Sequence, residues 1–275
     1  MPLFSIVIPV LNQASFIERA LRSVLSQSCR DFEMIVVDGG STDGTVDILA
    51  RYAAQIAWQC SEKDGGQSDA LNKGFAHAAG KYFFWLNADD ILLPDALASL
   101  AKAIGQPADS AARQPTLGGL QWIVGNMMII DKDDRIMRCL RDGAWHDVLY
   151  RHAPVQVYGP SAVFQRRLFE SVGGFDVSLQ YAMDTDLWLR FQLAGARYVR
   201  LNRYLWGFRF HSGSKTNGGG AATEDIQAAE RLRIYQKNGL TIRWWNLLLN
   251  RLFRLLNGAY LLAVYDTLRL RGTKI

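Results

Sequence analysis

The chain has few cysteines, no glycine-rich phosphate loop and no long apolar run in its C-terminal part. Cys29, Cys60 and Cys139 are scattered through 275 residues without CxxC spacing. This argues against a disulfide framework or a zinc site and suits a reducing compartment. Neither GxGxxG nor GxxxxGK[ST] occurs, so the sequence supports neither a nicotinamide dehydrogenase nor a P-loop ATPase. The longest uncharged run of the tail, Leu255 to Tyr265, has eleven residues, whereas a membrane-spanning helix needs about 20.

Charge is distributed unevenly along the chain. The net charge is +5, yet from Arg231 onward nine Lys and Arg residues are opposed by Asp266 alone, so the preceding part is mildly acidic. A nucleic-acid-binding protein is often basic throughout, and we therefore expect no nucleic-acid partner. The N-terminal segment MPLFSIVIPV lacks a basic region and a small-residue cleavage site. It therefore predicts a first strand and not a signal peptide.

Apolar segments with strand character alternate with segments of helical period. The predicted strands are Phe4–Val10, Phe32–Val37, Ile56–Gln59 and Tyr82–Leu86; the predicted helices are Ser15–Ser26, one capped by Ser41 or Thr42, and one from Ser68 or Asp69 to near Gly80. Strands that are apolar on both faces and alternate with helices predict a parallel sheet covered by helices. Ligands bind at the carboxyl ends of the strands in such sheets.

Carboxylates follow the ends of two predicted strands. Asp38 follows the second strand, and Asp89 and Asp90 follow the fourth. Two adjacent carboxylates repel each other unless a cation or a hydrogen-bond donor compensates. Mg²⁺ or Mn²⁺ would suit these oxygen ligands and would also hold the phosphates of a ligand. Asp43 and Asp47, by contrast, fit the ordinary role of acids at the start of a helix.

Six stretches resemble, in order, a family 2 glycosyltransferase with the GT-A fold, of the polysaccharide-biosynthesis type. They are SIVIPVLNQASFIERALRSVLSQ, FEMIVVDGGSTDGT, EKDGGQSDALNKGF, YFFWLNADDILLPDAL, GGFD and YAMDTDLWLRF, over roughly residues 3–215. The resemblance implies a Rossmann-like, mostly parallel α/β sheet flanked by helices. It implies a catalytic domain over residues 1–220, with a nucleotide-sugar half over about 1–105 and an acceptor half over about 106–220. Residues 221–275 are expected to form a basic amphipathic helical extension.

The resemblance also implies a set of donor-binding residues. Those predicted to contact the nucleotide-diphosphate sugar are Pro9, Val10, Asn12, Asp38, Asp69, Lys73, Asn87 and Asp90. Asp89 matches the last acid of the family's DxD motif and would bind Mn²⁺ or Mg²⁺, with His211 as a second ligand. Asn87 stands where the first Asp of that motif is usual; its amide still offers an oxygen, but the departure puts tight metal binding in doubt. A solvated charge for Lys73 and a structural role for His211 are the alternatives.

The acceptor side is represented by MDTDLWLR, which matches a family motif at the start of a helix. Asp184 is the predicted catalytic base, which would take the proton of an acceptor hydroxyl as that oxygen attacks the anomeric carbon. A single displacement implies inversion at this carbon. Asp186 is interpreted as a first-turn acid favoured by the helix dipole. Asp131 to Asp134 lies between two β-like runs and predicts a hairpin turn.

Polar residues of the tail recur at helical spacing. They are Arg243, Asn246, Asn250, Arg254 and Asn257, and most of the residues between them are Trp, Leu or Phe. Such a helix fits the interface of an anionic membrane, and we expect peripheral contact through residues 241–270. Packing onto its own domain or onto a second subunit is the alternative.

Together these features predict an inverting glycosyltransferase that acts in the cytoplasm, peripherally on the inner face of the cell membrane. It would transfer one sugar from a nucleotide-diphosphate sugar, UDP-sugar favoured, to a glycan or lipid-linked acceptor in surface polysaccharide or glycolipid assembly. A polyprenol-phosphate sugar synthase and a non-catalytic nucleotide-sugar-binding scaffold are the alternatives. A processive synthase is disfavoured because QxxRW is missing.

Overall fold

The secondary structure alternates between strands and helices in the first hundred residues and ends in three helices. A computed structural model describes residues 1–105, 121–142, 157, 159–215 and 220–275. The strands are β1 (Phe4–Val10), β2 (Phe32–Asp38), β3 (Trp58–Ser61), β4 (Tyr82–Trp85), β5 (Ile91–Leu92), β6 (Gln121–Ile130), β7 (Ile136–Leu140), β8 (Ala162–Gln165) and β9 (Arg197–Arg209). The helices are α1 (Ile17–Leu25), α2 (Thr45–Arg51), α3 (Gln67–Ala76), α4 (Ala96–Gly105), α5 (Arg166–Ser171), α6 (Met183–Leu193), α7 (Gly220–Lys237), α8 (Trp244–Leu256) and α9 (Ala259–Leu270).

One mixed sheet organises these elements, in the order β3-β2-β1-β4-β8-β6-β9-β5, with β7 paired to β6. The first four strands are parallel to one another. Strand β8 is antiparallel to both β4 and β6, and β6 is parallel to β9. The carboxyl ends of β1, β2 and β4 therefore open on the same edge of the sheet, which confirms the α/β class predicted from the sequence.

The sheet is buried on both faces, as the apolar strands predict. All seven residues of β1 are buried. One face packs against α3 and α6 through stacked rings, with Trp188 lying 5.9 Å from Trp85 and 4.7 Å from Trp122, centroid to centroid. The other face packs against α1 and α4. Helix α3 approaches closely because Gly74 has no side chain; a Cβ there would lie 2.4 Å from a methyl carbon of Val7.

Several boundaries differ from those predicted. Helix α2 begins at Thr45 after Gly44, which has φ +95°, and not at Ser41 or Thr42. Strand β3 begins at Trp58 because residues 53–55 form a 3₁₀ turn first. The two-residue strand β5 was not predicted, since it is too short to show a period. The hairpin at Asp131–Asp134 is confirmed, with Asp134 N donating to Asp131 O over 3.2 Å.

The tail folds back on the body of the protein. In α9, Asp266 accepts hydrogen bonds from Arg141 and from the Tyr204 hydroxyl, and Thr267 Oγ1 accepts one from Cys139 N at 2.9 Å. Helices α8 and α9 are separated by a turn at Gly258, which has φ +76°. In the described part of the chain no single helix is long and apolar enough to cross a membrane, although the bent pair Leu247–Leu256 and Ala259–Leu270, 61° apart, reaches that length and composition.

Candidate active site

A cavity of about 950 Å³ opens at the carboxyl ends of the parallel strands. Its size lies near the upper end of the roughly 300–1,000 Å³ usual for small-molecule sites. The sheet side is formed by the ends of β1 and β4 and the segments that follow them, and the opposite side by α6, α7, α8 and α9. Five predicted residues line it, namely Pro9, Val10, Asn87, Asp89 and Asp184.

The other predicted residues do not line the cavity. They are Asn12, Asp38, Asp69, Lys73, Asp90 and His211. Asp38 is fully buried and accepts hydrogen bonds from Ser41 N at 3.0 Å and Ser61 Oγ at 2.5 Å. Asn12 Oδ1 accepts a bond from Thr42 N at 2.9 Å. In this structure these side chains hold the loops after β1 and β2, and their predicted contacts with the nucleoside stay predictions.

Asp69 and Lys73 lie on α3 and contact the loop that precedes it. Asp69 Oδ2 accepts a hydrogen bond from Gly65 N at 2.9 Å. Lys73 Nζ forms an ion pair with Glu62 Oε1 at 2.7 Å, and this hydrogen bond raises the pKa of the lysine. Asp64 of the same loop lines the cavity, although sequence reasoning did not single it out.

A chain of hydrogen bonds explains the asparagine at position 87. Gln67 Nε2 donates to Asn87 Oδ1 at 2.9 Å, and Asn87 Nδ2 donates to Asp90 Oδ2 at 2.8 Å. The other Asp90 oxygen accepts from Arg209 N at 2.8 Å. Asp90 is fully buried, and this burial together with the charge of Asp89 raises its pKa. An aspartate at position 87 has no N–H group to donate to Asp90, so the amide supplies a hydrogen bond that a carboxylate cannot supply.

Asp89 differs from Asp90 because its carboxylate reaches the cavity. Asp89 Oδ2 lies 3.0 Å from His211 Nε2, so the two predicted metal ligands are neighbours. The His211 ring packs against Phe16, with 4.7 Å between centroids. In the described segments no group of three or more His, Cys, Asp or Glu side chains could hold a metal ion. The single carboxylate of Asp89 nevertheless fits Mg²⁺ or Mn²⁺, since such ions often take one or two protein carboxylates and complete their shell with substrate phosphates.

Arg209 fixes the backbone that carries Asp89. Its side chain is fully buried; Nε donates to Asp89 O at 2.7 Å and Nη1 donates to Asp131 O at 2.8 Å. Its Nη2 lies 2.6 Å from Asp134 Oδ1 in the hairpin between β6 and β7. Sequence reasoning missed this residue, because an arginine near a strand end is typical of a solvated charge.

Asp184 stands at the start of α6 with its carboxylate partly exposed to the cavity. Oδ1 accepts a hydrogen bond from Thr185 N at 2.6 Å. Desolvation raises the pKa of Asp184 to about 6, although the Thr185 hydrogen bonds and the charge of Arg231 act in the opposite direction. A base of this pKa is ionised at neutral pH and still binds a proton readily. Asp186, two residues on, forms a buried ion pair with Arg190 at 2.6 Å and fits the structural role predicted for it.

The position of Asp184 depends on a carboxylate far away in the sequence. Glu230 of α7 accepts hydrogen bonds from the backbone N–H groups of Gln180, Tyr181 and Ala182 at 2.7, 2.9 and 2.8 Å. Such N–H groups before and at a helix start have no partner within the helix. Glu230 therefore anchors the start of α6, and no sequence motif pointed to it.

A mixed sheet with a parallel first half and a cavity with acids at its carboxyl edge define an α/β protein whose candidate site lies where such sheets bind ligands. The family model described as Glycosyl transferase family 2 matches residues 5–122. A PGL/p-HBAD biosynthesis glycosyltransferase of Mycobacterium tuberculosis is 30% identical over 195 residues, which are 69% of this chain and 69% of that one. An uncharacterized glycosyltransferase of Rickettsia prowazekii is 30% identical over 223 residues, 78% of this chain and 66% of the relative. The chain belongs to glycosyltransferase family 2.

Solved structures agree on the fold. S. aureus TarS 1–349 in complex with UDP-GlcNAc has a TM-score of 0.59 at 18% identity, over 84% of this chain and 67% of that one. The mannosyltransferase PcManGT from Pyrobaculum calidifontis, in complex with GDP-Man and Mn²⁺, has a TM-score of 0.58 at 22% identity, over 86% and 64%. The match covers only 40% of a longer TarS chain. This likeness confirms the GT-A fold.

Proposed function

We propose that the protein transfers one sugar from a nucleotide-diphosphate sugar, preferably a UDP-sugar, to a hydroxyl of a glycan or lipid-linked acceptor in surface polysaccharide or glycolipid assembly. The observation that carries this proposal is that Asp89 and Asp184 face one cavity at the carboxyl edge of the sheet. Asp89 is suited to the diphosphate of the donor, and Asp184 is suited to the hydroxyl of the acceptor. Family membership supports the reaction class.

In the proposed reaction Asp184 takes the proton of the acceptor hydroxyl while that oxygen attacks the anomeric carbon. The bond from this carbon to the diphosphate oxygen breaks, and the nucleoside diphosphate leaves with the bonding electron pair. One displacement inverts the configuration at the anomeric carbon. The hydrogen bonds that the backbone N–H groups of Tyr181 and Ala182 donate to Glu230 hold Asp184 in place for this step.

Asp89 and His211 would hold Mn²⁺ or Mg²⁺. A bound divalent cation would neutralise charge that develops on the leaving diphosphate. The residues of the chain fix the geometry in advance, because Arg209 holds the carbonyl of Asp89 and Asn87 holds Asp90. Such preorganisation reduces the rearrangement needed when charge develops.

Nucleotide binding tests the donor side of the proposal. The melting temperature would be measured with UDP, GDP, dTDP or CDP, each with and without Mn²⁺, because a ligand of the native state raises it by mass action. We expect UDP with Mn²⁺ to stabilise the wild type and not Asp89→Ala. Asp133→Ala, at an exposed carboxylate of the β6–β7 hairpin, is the matched control and should respond like the wild type. If no nucleotide raises the melting temperature, the donor site proposed here is wrong.

We also propose that residues 241–270 hold the protein peripherally on the inner face of the cell membrane. Large apolar side chains of α8 and α9 are exposed, with 72% of Trp244, 75% of Leu256 and 77% of Leu268 accessible to solvent. An amphipathic helix of this kind, with Trp, Leu and Arg, binds the interface of anionic lipid. The docked face of α9 leaves this apolar surface free.

Vesicle sedimentation tests the membrane proposal. The wild type should sediment with vesicles that contain anionic phospholipid, and the double variant Leu256→Ser/Leu268→Ser should sediment less. Val177→Ser, at an exposed apolar residue outside the tail (58% exposed), is the control and should behave like the wild type. If the tail variant and the control sediment equally, the tail is not the membrane contact.

A further inference from the structure

Four cations line the helical side of the cavity. Arg254 is buried and donates to Arg141 O at 2.9 Å, and the other three have no acidic partner among the described residues. Lys215 follows β9, Arg231 belongs to α7 and Arg251 belongs to α8, and all three line the cavity. Among the described residues none of them forms an ion pair with a carboxylate, whereas Arg209, Arg141 and Arg190 do. Positive charges that line one concave site attract an anion, and carboxylates and phosphates are the anions that Arg and Lys pair with most strongly.

The cavity therefore has two differently charged sides. Asp64 and Asp89 line it from the loops that follow the strands of the sheet. The three cations line it from the segments that follow β9, and Arg231 is near enough to Asp184 for its charge to lower the pKa of that carboxyl. Lys215 Nζ lies 5.4 Å from the centroid of the Tyr181 ring, three residues before Asp184. Because Asp184 is the proposed acceptor base, Lys215 and Arg231 belong to the acceptor side, and Asp64 and Asp89 belong to the donor side.

Apolar side chains accompany the cations on α8 and α9. Leu247 of α8 and Tyr260 of α9 line the cavity together with Arg251. On the same two helices Leu252 and Leu261 are exposed, 49% and 67% accessible. A ligand that satisfies both surfaces has an anionic head and an apolar chain. A free sugar or a glycan without phosphate would leave the cations unpaired.

We propose that Lys215, Arg231 and Arg251 form a subsite for the phosphate or diphosphate group of a lipid-linked acceptor, whose chain lies on the apolar surface of α8 and α9. This inference rests on the proposed function, because the acceptor hydroxyl beyond that phosphate is what Asp184 would deprotonate. It adds the chemical class of the acceptor and the residues that recognise it.

Calorimetry without any donor tests the subsite. Farnesyl diphosphate, inorganic pyrophosphate and farnesol are titrated separately into the full chain. We expect farnesyl diphosphate to bind at least about tenfold more tightly than pyrophosphate or farnesol, since only it has both groups. Arg231→Gln and Arg251→Gln should each weaken it by about tenfold, the loss expected for one charge-assisted contact. Arg269→Gln, at an exposed cation of α9 that does not line the cavity, should bind like the wild type.

A second titration, with UDP and Mn²⁺, separates the acceptor phosphate from the donor diphosphate. Arg231→Gln and Arg251→Gln should bind UDP with Mn²⁺ as the wild type does, and Asp89→Ala should lose UDP while keeping farnesyl diphosphate. The proposed subsite is wrong if the arginine substitutions lower the affinity for UDP by the same factor as the affinity for farnesyl diphosphate. It is also wrong if pyrophosphate binds as tightly as farnesyl diphosphate. Binding of farnesyl diphosphate without UDP binding would support the subsite and contradict the proposed donor.

Discussion

The two sides of the cavity differ in how their charged groups are partnered. On the sheet side the polar atoms of Asp64, Asn87 and Asp89 have hydrogen-bond partners within the fold. On the helical side Lys215 and Arg251 line the cavity with no carboxylate in ion-pair contact among the described residues. The sheet side is therefore organised before any ligand arrives, whereas the helical side has charge that a ligand must compensate. Asp184 stands where the two sides meet, so the comparison is tested first at this residue.

The largest effect should follow from Asp184→Asn. The amide has nearly the same shape and cannot take a proton, so we expect sugar transfer to fall by about a thousandfold, within the range for loss of a general base. Nucleotide binding should be unchanged, because the sheet side is untouched. Release of nucleoside diphosphate and nucleotide binding would be measured together. If transfer persists at the wild-type rate, Asp184 is not the base; if the wild type shows no transfer at all, the scaffold hypothesis is favoured.

The matched control is Asp186→Asn on the same helix. Asp186 is buried and paired with Arg190 at 2.6 Å, so its loss should lower the stability of the fold and leave the chemistry of the folded fraction intact. If both variants lose sugar transfer equally at the same folded fraction, the negative charge at the start of α6 is what transfer requires, and proton abstraction by Asp184 is not.

Glu230→Ala should give the next largest effect. It removes the acceptor of three backbone N–H groups before α6, and we expect transfer to fall by about tenfold because Asp184 is then less well positioned. Glu230→Gln keeps a neutral acceptor and should retain more activity. Nucleotide binding should be unaffected in both. An equal loss of nucleotide binding would show that α7 supports the whole cavity and not only the acceptor side.

Substitutions at Asp89 and Asp90 should affect different properties, namely nucleotide binding for Asp89 and the free energy of unfolding for Asp90. Asp90→Ala leaves Arg209 N and Asn87 Nδ2 without their acceptor, which should cost about 1–3 kcal/mol of the free energy of unfolding. Asp89→Ala should abolish metal-dependent nucleotide binding with little change in urea unfolding, since its carboxylate faces the cavity. If Asp90→Ala unfolds like the wild type, the buried hydrogen-bond chain does not organise the sheet side.

How much of this was predictable differs between the two sides. The succession of strands and helices along the chain up to Tyr82, the acids after β4 and the start of α6 follow from local apolar periods and short motifs. Arg209 and Glu230 could not be found that way, because each acts on backbone about 50–120 residues away and shows no local pattern. The helical period of α8 was predictable, but its position beside the cavity depends on contacts such as Arg254 Nη2 to Arg141 O at 2.9 Å.

Asn87→Asp tests whether the acid that is usual in the family motif suits position 87 better than the hydrogen-bonded amide seen in the structure. The change restores the acid usual in the motif, yet it removes the donor to Asp90 Oδ2 and adds a like charge beside a buried carboxyl. We expect the free energy of unfolding to fall by about 1–2 kcal/mol and Mn²⁺-dependent nucleotide binding not to improve. Asn87→Ala is the comparison, since it removes both hydrogen bonds without adding charge. Tighter binding in Asn87→Asp would mean that position 87 is a metal ligand after all.

The smallest effect concerns pH and the stability of Asp184→Asn. The folded-state pKa of Asp184, about 6, lies above the ordinary 3.8, so the folded protein holds this proton more tightly than the unfolded chain does. The stabilisation of the folded state by this protonated carboxyl is complete below about pH 4 and is lost as pH rises through about 6. Above that pH the folded protein contains an ionised, partly desolvated carboxylate. A neutral amide avoids this cost. The full shift corresponds to roughly 3 kcal/mol, but water in the cavity reduces it, and we expect about 1 kcal/mol.

Asp184→Asn should therefore melt about 2–4 °C above the wild type at pH 8 and at nearly the same temperature at pH 4. Thermal melts of both proteins at half-unit pH intervals would measure the difference, which should grow mainly between pH 4 and 6. Thr42→Ser, an exposed position outside the cavity, should show no such pH trend. A difference that is constant across pH would place its origin in hydrogen bonding at Thr185 and not in the charge. Asp184, where the two sides of the cavity meet, would then be fixed by hydrogen bonds within the fold, like the acids of the sheet side.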